Sequence, residues 1–156
     1  MQSKTKTFLI FTAIPLIVGI VAGLLTRGSM ETFSSLNKPP LSPPGILFPI
    51  VWTILYTLMG IASFLVYTSG KEKEEVNSAL TIYFLQLAVN FFWSIFFFNL
   101  EWYIFSFFWL VLLWVLIFYT IRLFYPISDI AAYLLIPYLL WVTFAGYLNL
   151  GIAALN

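Results

Sequence analysis

The chain contains no cysteine and no histidine, and only 8% of its residues are charged. The missing cysteine excludes disulfide bonds and thiolate metal sites. The missing histidine removes the most common metal ligand and the most common general base, so we expect no metal site. The net charge of +1 provides no positive field that would attract a nucleic acid.

The chain has an excess of apolar side chains. They make up 62% of its 156 residues, and aromatic residues alone make up 21%. A soluble domain is about 45–50% apolar and about 25% charged. A chain of this size could not bury so much apolar surface in one soluble core. The composition therefore excludes a water-soluble protein, a disordered protein and a disulfide-stabilised secreted protein.

Five apolar stretches are long enough to cross a bilayer, which takes roughly 20 helical residues. The third and fourth stretches must be separate, because one helix from Ala79 to Phe124 would measure roughly 69 Å. The first exceeds the roughly 7–15 apolar residues of a signal peptide, so we expect it to be retained. These stretches predict an all-α integral membrane protein, a single five-transmembrane-helix bundle over residues 1–156. The predicted spans are Phe8–Thr26, Leu47–Thr68, Ala79–Phe98, Trp102–Phe124 and Ile130–Ala154.

The basic residues predict the orientation of the bundle. With five spans, the N-terminus and the loops 69–78 and 125–129 share one side, which carries most of the Lys and Arg. Since basic residues concentrate on the cytoplasmic side, we expect a cytoplasmic N-terminus and an external C-terminus. Lys71 and Lys73 lie among glutamates, and we interpret that charged cluster as a solvated loop.

The first loop, residues 27–46, is the longest segment predicted to be non-helical. Four of its residues are prolines, Pro39, Pro40, Pro43 and Pro44, which favour an extended backbone. The loop is either a rigid connector or a structured lid over the bundle. We also expect Pro137 to kink the fifth span.

Polar and aromatic side chains concentrate in the outer half of the bundle, beneath this loop. Trp52 and Trp93 lie roughly 8 Å below the outer ends of their spans. Gln86, Asn90 and Ser94 share one helix face. An amide inside a span most often joins helices, but Gln86 and Asn90 are deep enough that they must face the bundle interior or a cavity. An apolar cavity with a few convergent polar groups is the usual form of a small-molecule site.

Three segments of the chain resemble the TspO / translocator protein family, also called tryptophan-rich sensory proteins or peripheral benzodiazepine receptors. The resemblance covers essentially the whole chain, and the three motifs together are quite specific. The segments are Lys38-Pro39-x3-Pro43-Pro44-x7-Trp52-x2-Leu55-Tyr56, Gln86-x3-Asn90-x2-Trp93-Ser94, and Pro137-Tyr138-Leu139-x-Trp141-x3-Ala145-x2-Leu148-Asn149.

The resemblance implies a five-helix bundle, often a homodimer, with a pocket under the first loop. It implies that this pocket binds porphyrins, such as protoporphyrin IX, and synthetic benzodiazepine-site ligands, with no cofactor required. Because the spans are helical rather than strands of an outer-membrane barrel, we expect a bacterial plasma membrane; the resemblance also allows a mitochondrial outer membrane. The residues expected to bind the ligand are Pro44, Trp52, Tyr56, Asn90, Trp93, Tyr138, Trp141 and Ala145.

The chain departs from the family pattern in its loop and at its end. Thr32-Phe33 stands where the family often has a Trp followed by Tyr or Phe, and Leu41 stands where an aromatic residue is usual between the prolines. Fewer rings in the loop predict weaker stacking on a macrocycle. No Lys or Arg follows Asp129, so a sterol role through the family's motif at the end of the fifth span is not supported.

The sequence favours a membrane receptor or sensor for porphyrins or similar flat hydrophobic molecules. The resemblance implies an alternative, a light- and oxygen-dependent enzyme that degrades porphyrin, with Trp52 and Trp141 as its catalytic residues. The chain has no acid–base or nucleophilic set for conventional catalysis. A transporter is less favoured, because ion-coupled carriers usually place ionisable residues in their spans and no carboxylate lies in these. A purely structural membrane protein is the remaining alternative.

Overall fold

The computed structural model describes residues 2–156, and within that range all regular structure is helical. A 3₁₀ turn, Arg27–Ser29, joins the first helix to the second, and a π-helical turn, Ile95–Asn99, extends the fourth. The α-helices are α1 Gln2–Thr26, α2 Met30–Ser35, α3 Leu47–Tyr67, α4 Lys73–Ser94, α5 Tyr103–Phe124, α6 Asp129–Leu134 and α7 Ile136–Leu155.

Five helical segments of the described chain are long and apolar enough to cross a membrane. They are α1 continued into α2, then α3, then α4 with its π-helical turn, then α5, and finally α6 with α7. This confirms the predicted all-α bundle of five spans. Helices suit the bilayer because each satisfies its own backbone hydrogen bonds where no water is available.

Two segments that the sequence analysis placed outside the helices are helical in the structure. α4 begins at Lys73 rather than at Ala79, so Glu74 and Glu75 lie in its first turn and not in a loop. Negative charge in a first turn is stabilised by the partial positive charge of the helix N-terminus. In the first loop, Met30–Ser35 forms the short helix α2, so that loop is only partly extended.

The breaks between spans have local causes. Glu101 adopts a φ of +57° between the π-helical turn and α5, in the gap between the predicted third and fourth spans. The hydroxyl of Ser128 accepts a hydrogen bond from the backbone N–H of Ala131 and caps α6. The last span is broken at Leu135, which places Pro137 in the first turn of α7, where a missing N–H costs little.

The main helix contacts run between α1 and α3, between α4 and α5, and between α5 and α7. Large side chains that are fully buried fill the centre of the bundle, among them Met59, Tyr83, Leu113, Ile117 and Phe124. The outer faces remain apolar and exposed, as Ile17, Phe108 and Leu140 illustrate. Exposed apolar faces of this kind suit contact with lipid rather than with water.

Two glycines allow α1 and α3 to approach each other closely. A Cβ on Gly60 of α3 would lie 2.5 Å from the Thr12 Cα and 2.9 Å from the Phe11 carbonyl oxygen of α1. A Cβ on Gly19 of α1 would lie 2.5 Å from the Tyr56 ring of α3. Gly19 belongs to a G-x-x-x-G pattern, Gly19 to Gly23, and its role here is packing within the chain.

The first loop is attached to the end of α7. The side-chain amide of Asn156 donates to the Asn37 carbonyl at 2.8 Å, and its oxygen accepts from the Asn37 backbone N–H at 3.2 Å. The Tyr147 hydroxyl donates to the Pro40 carbonyl at 2.6 Å. Pro39 is buried against Gly151, where a Cβ would lie 2.5 Å from the proline ring. These contacts hold the loop over the end of the bundle at which α7 ends.

We predict that Gly60→Ala destabilises the protein. The added methyl group meets backbone atoms of α1 that cannot rotate away, and overpacking of this kind costs about 1–3 kcal/mol. The measurement is the thermal unfolding midpoint in detergent without ligand. Gly23→Ala is the matched control, because it makes the same change inside α1 at a site with nothing within 4 Å. Equal midpoints for the two variants would contradict the close approach of α1 and α3.

Candidate ligand-binding site

A cavity of about 600 Å³ lies beneath the first loop. α1, α3 and α7 form its sides, and the end of α4 with the π-helical turn closes it. Its wall is mainly apolar and aromatic. Its lining includes Gly19, Ile20, Arg27, Phe33, Lys38, Pro43, Phe48, Trp52, Tyr56, Trp93, Phe97, Trp141, Ala145 and Asn149.

Aromatic rings cover several sides of the cavity and support one another. The Trp52 and Tyr56 rings of α3 stack with their centroids 5.5 Å apart. The Trp141 ring of α7 meets Phe48 edge to face at 5.8 Å. Trp93 stacks on Phe97 at 5.0 Å, across the start of the π-helical turn. Such pairs are favoured by about 0.5–1.5 kcal/mol beyond the burial of their area, so the cavity has a preformed aromatic wall.

A chain of hydrogen bonds lies directly behind Tyr56. The Tyr56 hydroxyl donates to Oδ1 of Asn90 at 2.8 Å. The Asn90 amide donates to the Tyr138 hydroxyl oxygen at 2.7 Å, and that hydroxyl donates to Oε1 of Gln86 at 2.6 Å. All four side chains are buried. This network ties α3, α4 and α7 together and holds the Tyr56 ring against the cavity.

A second set of hydrogen bonds orients Trp93. Its indole N–H donates to Oδ1 of Asn149 at 3.0 Å, and the Asn149 amide donates to the Tyr103 carbonyl at 2.8 Å. Trp93 and Asn149 both line the cavity. The bonds therefore fix one wall of the cavity across α4, α5 and α7.

Polar groups on the wall are few. The indole nitrogen of Trp141 is buried and has no hydrogen-bond partner among residues 2–156. Arg27 and Lys38 are the two cationic side chains of the lining, and the described lining includes no Asp or Glu. The site is therefore apolar in its body, with positive charge at the side of the first loop.

The structure brings five of the expected ligand-binding residues to this cavity: Trp52, Tyr56, Trp93, Trp141 and Ala145. Asn90 and Tyr138 are not in its lining; they lie behind Tyr56 in the buried network. Pro44 is exposed and is also outside the lining, whereas its neighbour Pro43 is part of it. The cavity is thus lined by expected residues of α3, α4 and α7, whereas Asn90 and Tyr138, which were expected to contact the ligand, lie one layer behind its wall.

Several lining residues were not identified from the sequence. Phe48 and Phe97 had a usable signal, because each lies four residues from a tryptophan already placed at the site, Phe48 before Trp52 and Phe97 after Trp93, and so shares its helix face. The α1 wall, which includes Gly19 and Ile20, had none. An unbroken apolar run does not show which of its faces meets a cavity and which meets lipid.

Comparison with known proteins agrees with the resemblance carried by the three motif segments. The model of the TspO/MBR family matches residues 11–155 of this chain. The chain is 38% identical to the Tryptophan-rich protein TspO of Chlorobaculum tepidum over 157 aligned positions, which cover 100% of this chain and 99% of that protein. It is 34% identical to the Translocator protein of Bos taurus, covering 89% and 83% of the two chains. It is also 34% identical to the Tryptophan-rich sensory protein of Cereibacter sphaeroides, covering 81% and 77%.

We predict that Asn90→Leu lowers stability by about 1–3 kcal/mol, because it leaves the Tyr56 hydroxyl buried without an acceptor. Thermal unfolding without ligand measures the effect. Asn77→Leu on the same helix is the control, since Asn77 is exposed. If both variants unfold at the wild-type temperature, the network contributes nothing to the fold.

Proposed function

The chain belongs to the TspO/MBR family, and we propose that it is a membrane receptor or sensor that binds porphyrins or similarly flat hydrophobic molecules. The observation that supports this most directly is the cavity itself. Its volume of about 600 Å³ falls within the roughly 300–1,000 Å³ of small-molecule sites, and its apolar wall with few polar groups is typical of them.

The ligand in this proposal lies among the aromatic rings of three helices. Trp52, Trp93 and Trp141 offer faces or edges to a flat apolar body, and such rings attract other π-systems in offset or edge-to-face geometry. Ala145 is small and leaves room beside Trp141.

Asn90 and Tyr138 have a positioning role in this proposal. They do not line the cavity, but they hold the Tyr56 hydroxyl and so the Tyr56–Trp52 stack. Pro44 acts through the backbone of the first loop, next to Pro43 in the lining.

We further propose a bacterial plasma membrane as the location, with the N-terminus in the cytoplasm. Most Lys and Arg residues lie on the side of the N-terminus, which the positive-inside rule assigns to the cytoplasm. The cavity then opens on the external side of the bundle, beneath the first loop. A homodimer, which the family resemblance implies, could form through the exposed apolar faces of the helices.

We predict that Ala145→Phe weakens porphyrin binding at least about tenfold, because a benzyl group fills space that the ligand needs. The measurement is a titration of the detergent-solubilised protein with protoporphyrin IX in the dark, followed by tryptophan fluorescence. The wild type should show saturable quenching with about one ligand per chain.

The matched control for this titration is Ala88→Phe. Ala88 is exposed on α4 and lies outside the cavity lining, so the same substitution there should leave the titration unchanged. Linear quenching without saturation, equal in wild type and both variants, would mean that porphyrin partitions into the micelle. That result would refute the proposed ligand.

Light-driven degradation of porphyrin is a second candidate function. Its support is that Trp52 and Trp141, the residues that the resemblance implicates, line the same cavity. An indole ring can donate one electron to a photoexcited porphyrin, which leaves an indole radical cation, and the reduced porphyrin would pass the electron to dioxygen, the oxidant of the reaction. No carboxylate or nucleophile is needed for such chemistry.

We predict that replacing Trp52 or Trp141 with Phe preserves most of the dark binding, because an aromatic ring remains. If the chain degrades porphyrin, the same variants should lose the decay of porphyrin absorbance under illumination in air. Trp114→Phe is the control, since Trp114 lies outside the cavity lining. Equal decay in the wild type and in both variants would remove these tryptophans from the reaction.

A further inference from the structure

Arg27 and Lys38 line the cavity beside the first loop, and the described lining contains no acidic residue. Two cations that line the same apolar cavity together attract an anion; Arg27 is exposed and Lys38 is half-buried. The aromatic wall, which is proposed to hold the flat apolar body of a ligand, does not account for this charge.

Lys38 is held in place before any ligand arrives. Its side chain is half-buried, and its ammonium donates to the Ser34 carbonyl at 3.2 Å and to the Leu36 carbonyl at 3.4 Å. The same ammonium lies 4.9 Å from the centre of the Phe33 ring, which also lines the cavity. An ammonium has three donors, so one remains for a ligand.

Arg27, unlike Lys38, is not held by hydrogen bonds to its neighbours in the described chain. It lies in the 3₁₀ turn between α1 and α2, and its guanidinium forms no hydrogen bond or ion pair within residues 2–156. A guanidinium is permanently charged and presents donors in a planar fork that matches a carboxylate or a phosphate. The pair thus combines one fixed cation with one free, planar cation.

We propose that Arg27 and Lys38 form an anion subsite at the mouth of the cavity, so that the preferred ligand is an amphiphile. Its flat apolar body lies among the aromatic rings, and its acidic group lies between the two cations. The shared chemistry is a carboxylate or phosphate on a hydrophobic molecule, whether this belongs to the ligand or to a membrane lipid. The inference rests on the proposed function, because it assumes that the cavity binds such a body.

The test compares protoporphyrin IX with its dimethyl ester, which has the same macrocycle without the two acidic groups. Both are titrated against the protein in phosphatidylcholine nanodiscs. We expect the free acid to bind the wild type more tightly than the ester. Arg27→Gln and Lys38→Gln should each weaken the free acid about fivefold, as expected for a partly exposed charged contact, and leave the ester unchanged.

Two controls separate charge from structure. Lys38→Arg keeps the cation and should retain most of the free-acid affinity. Lys71→Gln removes a cation from the loop at the opposite end of the bundle and should change neither titration. Higher salt should weaken the free acid in the wild type and should have little effect on the ester.

The outcomes distinguish this inference from the proposed function. If acid and ester bind equally and saturably, and the Gln variants change nothing, the anion subsite is refuted while the receptor function stands. If neither ligand saturates, the receptor function itself fails, and this inference fails with it. If phosphatidylglycerol in the nanodisc competes with the free acid but not with the ester, the subsite is supported with lipid phosphate as its occupant.

Discussion

The hydrogen bonds of Asn90 are the interactions on which the site depends most. Its amide oxygen accepts from Tyr56 and its amide nitrogen donates to Tyr138, so one side chain joins three membrane-spanning helices. No water or lipid headgroup replaces these partners in the interior of a bilayer, and each unpaired group would be costly. The arrangement therefore sets the register of α3, α4 and α7, and with it the position of the Tyr56–Trp52 stack.

The cavity is supported unequally on its different sides. The α3 and α7 walls rest on buried hydrogen bonds and stacked rings, whereas α1 is largely exposed and meets α3 through close contacts at Gly19 and Gly60. The first loop is held to α7 through Asn156, Tyr147 and Gly151.

Much of the fold and of the site could be predicted because the bilayer core offers no water to satisfy a polar group. An amide deep in an apolar span must find a partner, so Gln86 and Asn90 could be assigned to the interior from position alone. Tryptophans at matching depths on different spans, such as Trp52 and Trp93, could be assigned to one level of the bundle. The same reasoning could not separate the cavity lining from the residues behind it. Asn90 and Tyr138 lie one layer behind the cavity lining. Only the structure shows this, because it places the Tyr56 side chain between these two residues and the cavity.

The sequence by itself determined the class of protein, the five spans, the family resemblance and the three motif segments, because each depends on composition, length or spacing along one chain. Only the tertiary structure decided which faces of those helices meet. It showed that α1 closes one side of the cavity at Gly19, that Glu74 and Glu75 begin a helix, and that Arg27 and Lys38 lie beside one cavity. The physical reason is that an apolar helix suits lipid and protein alike, so its choice of neighbour is made by packing between segments distant in sequence.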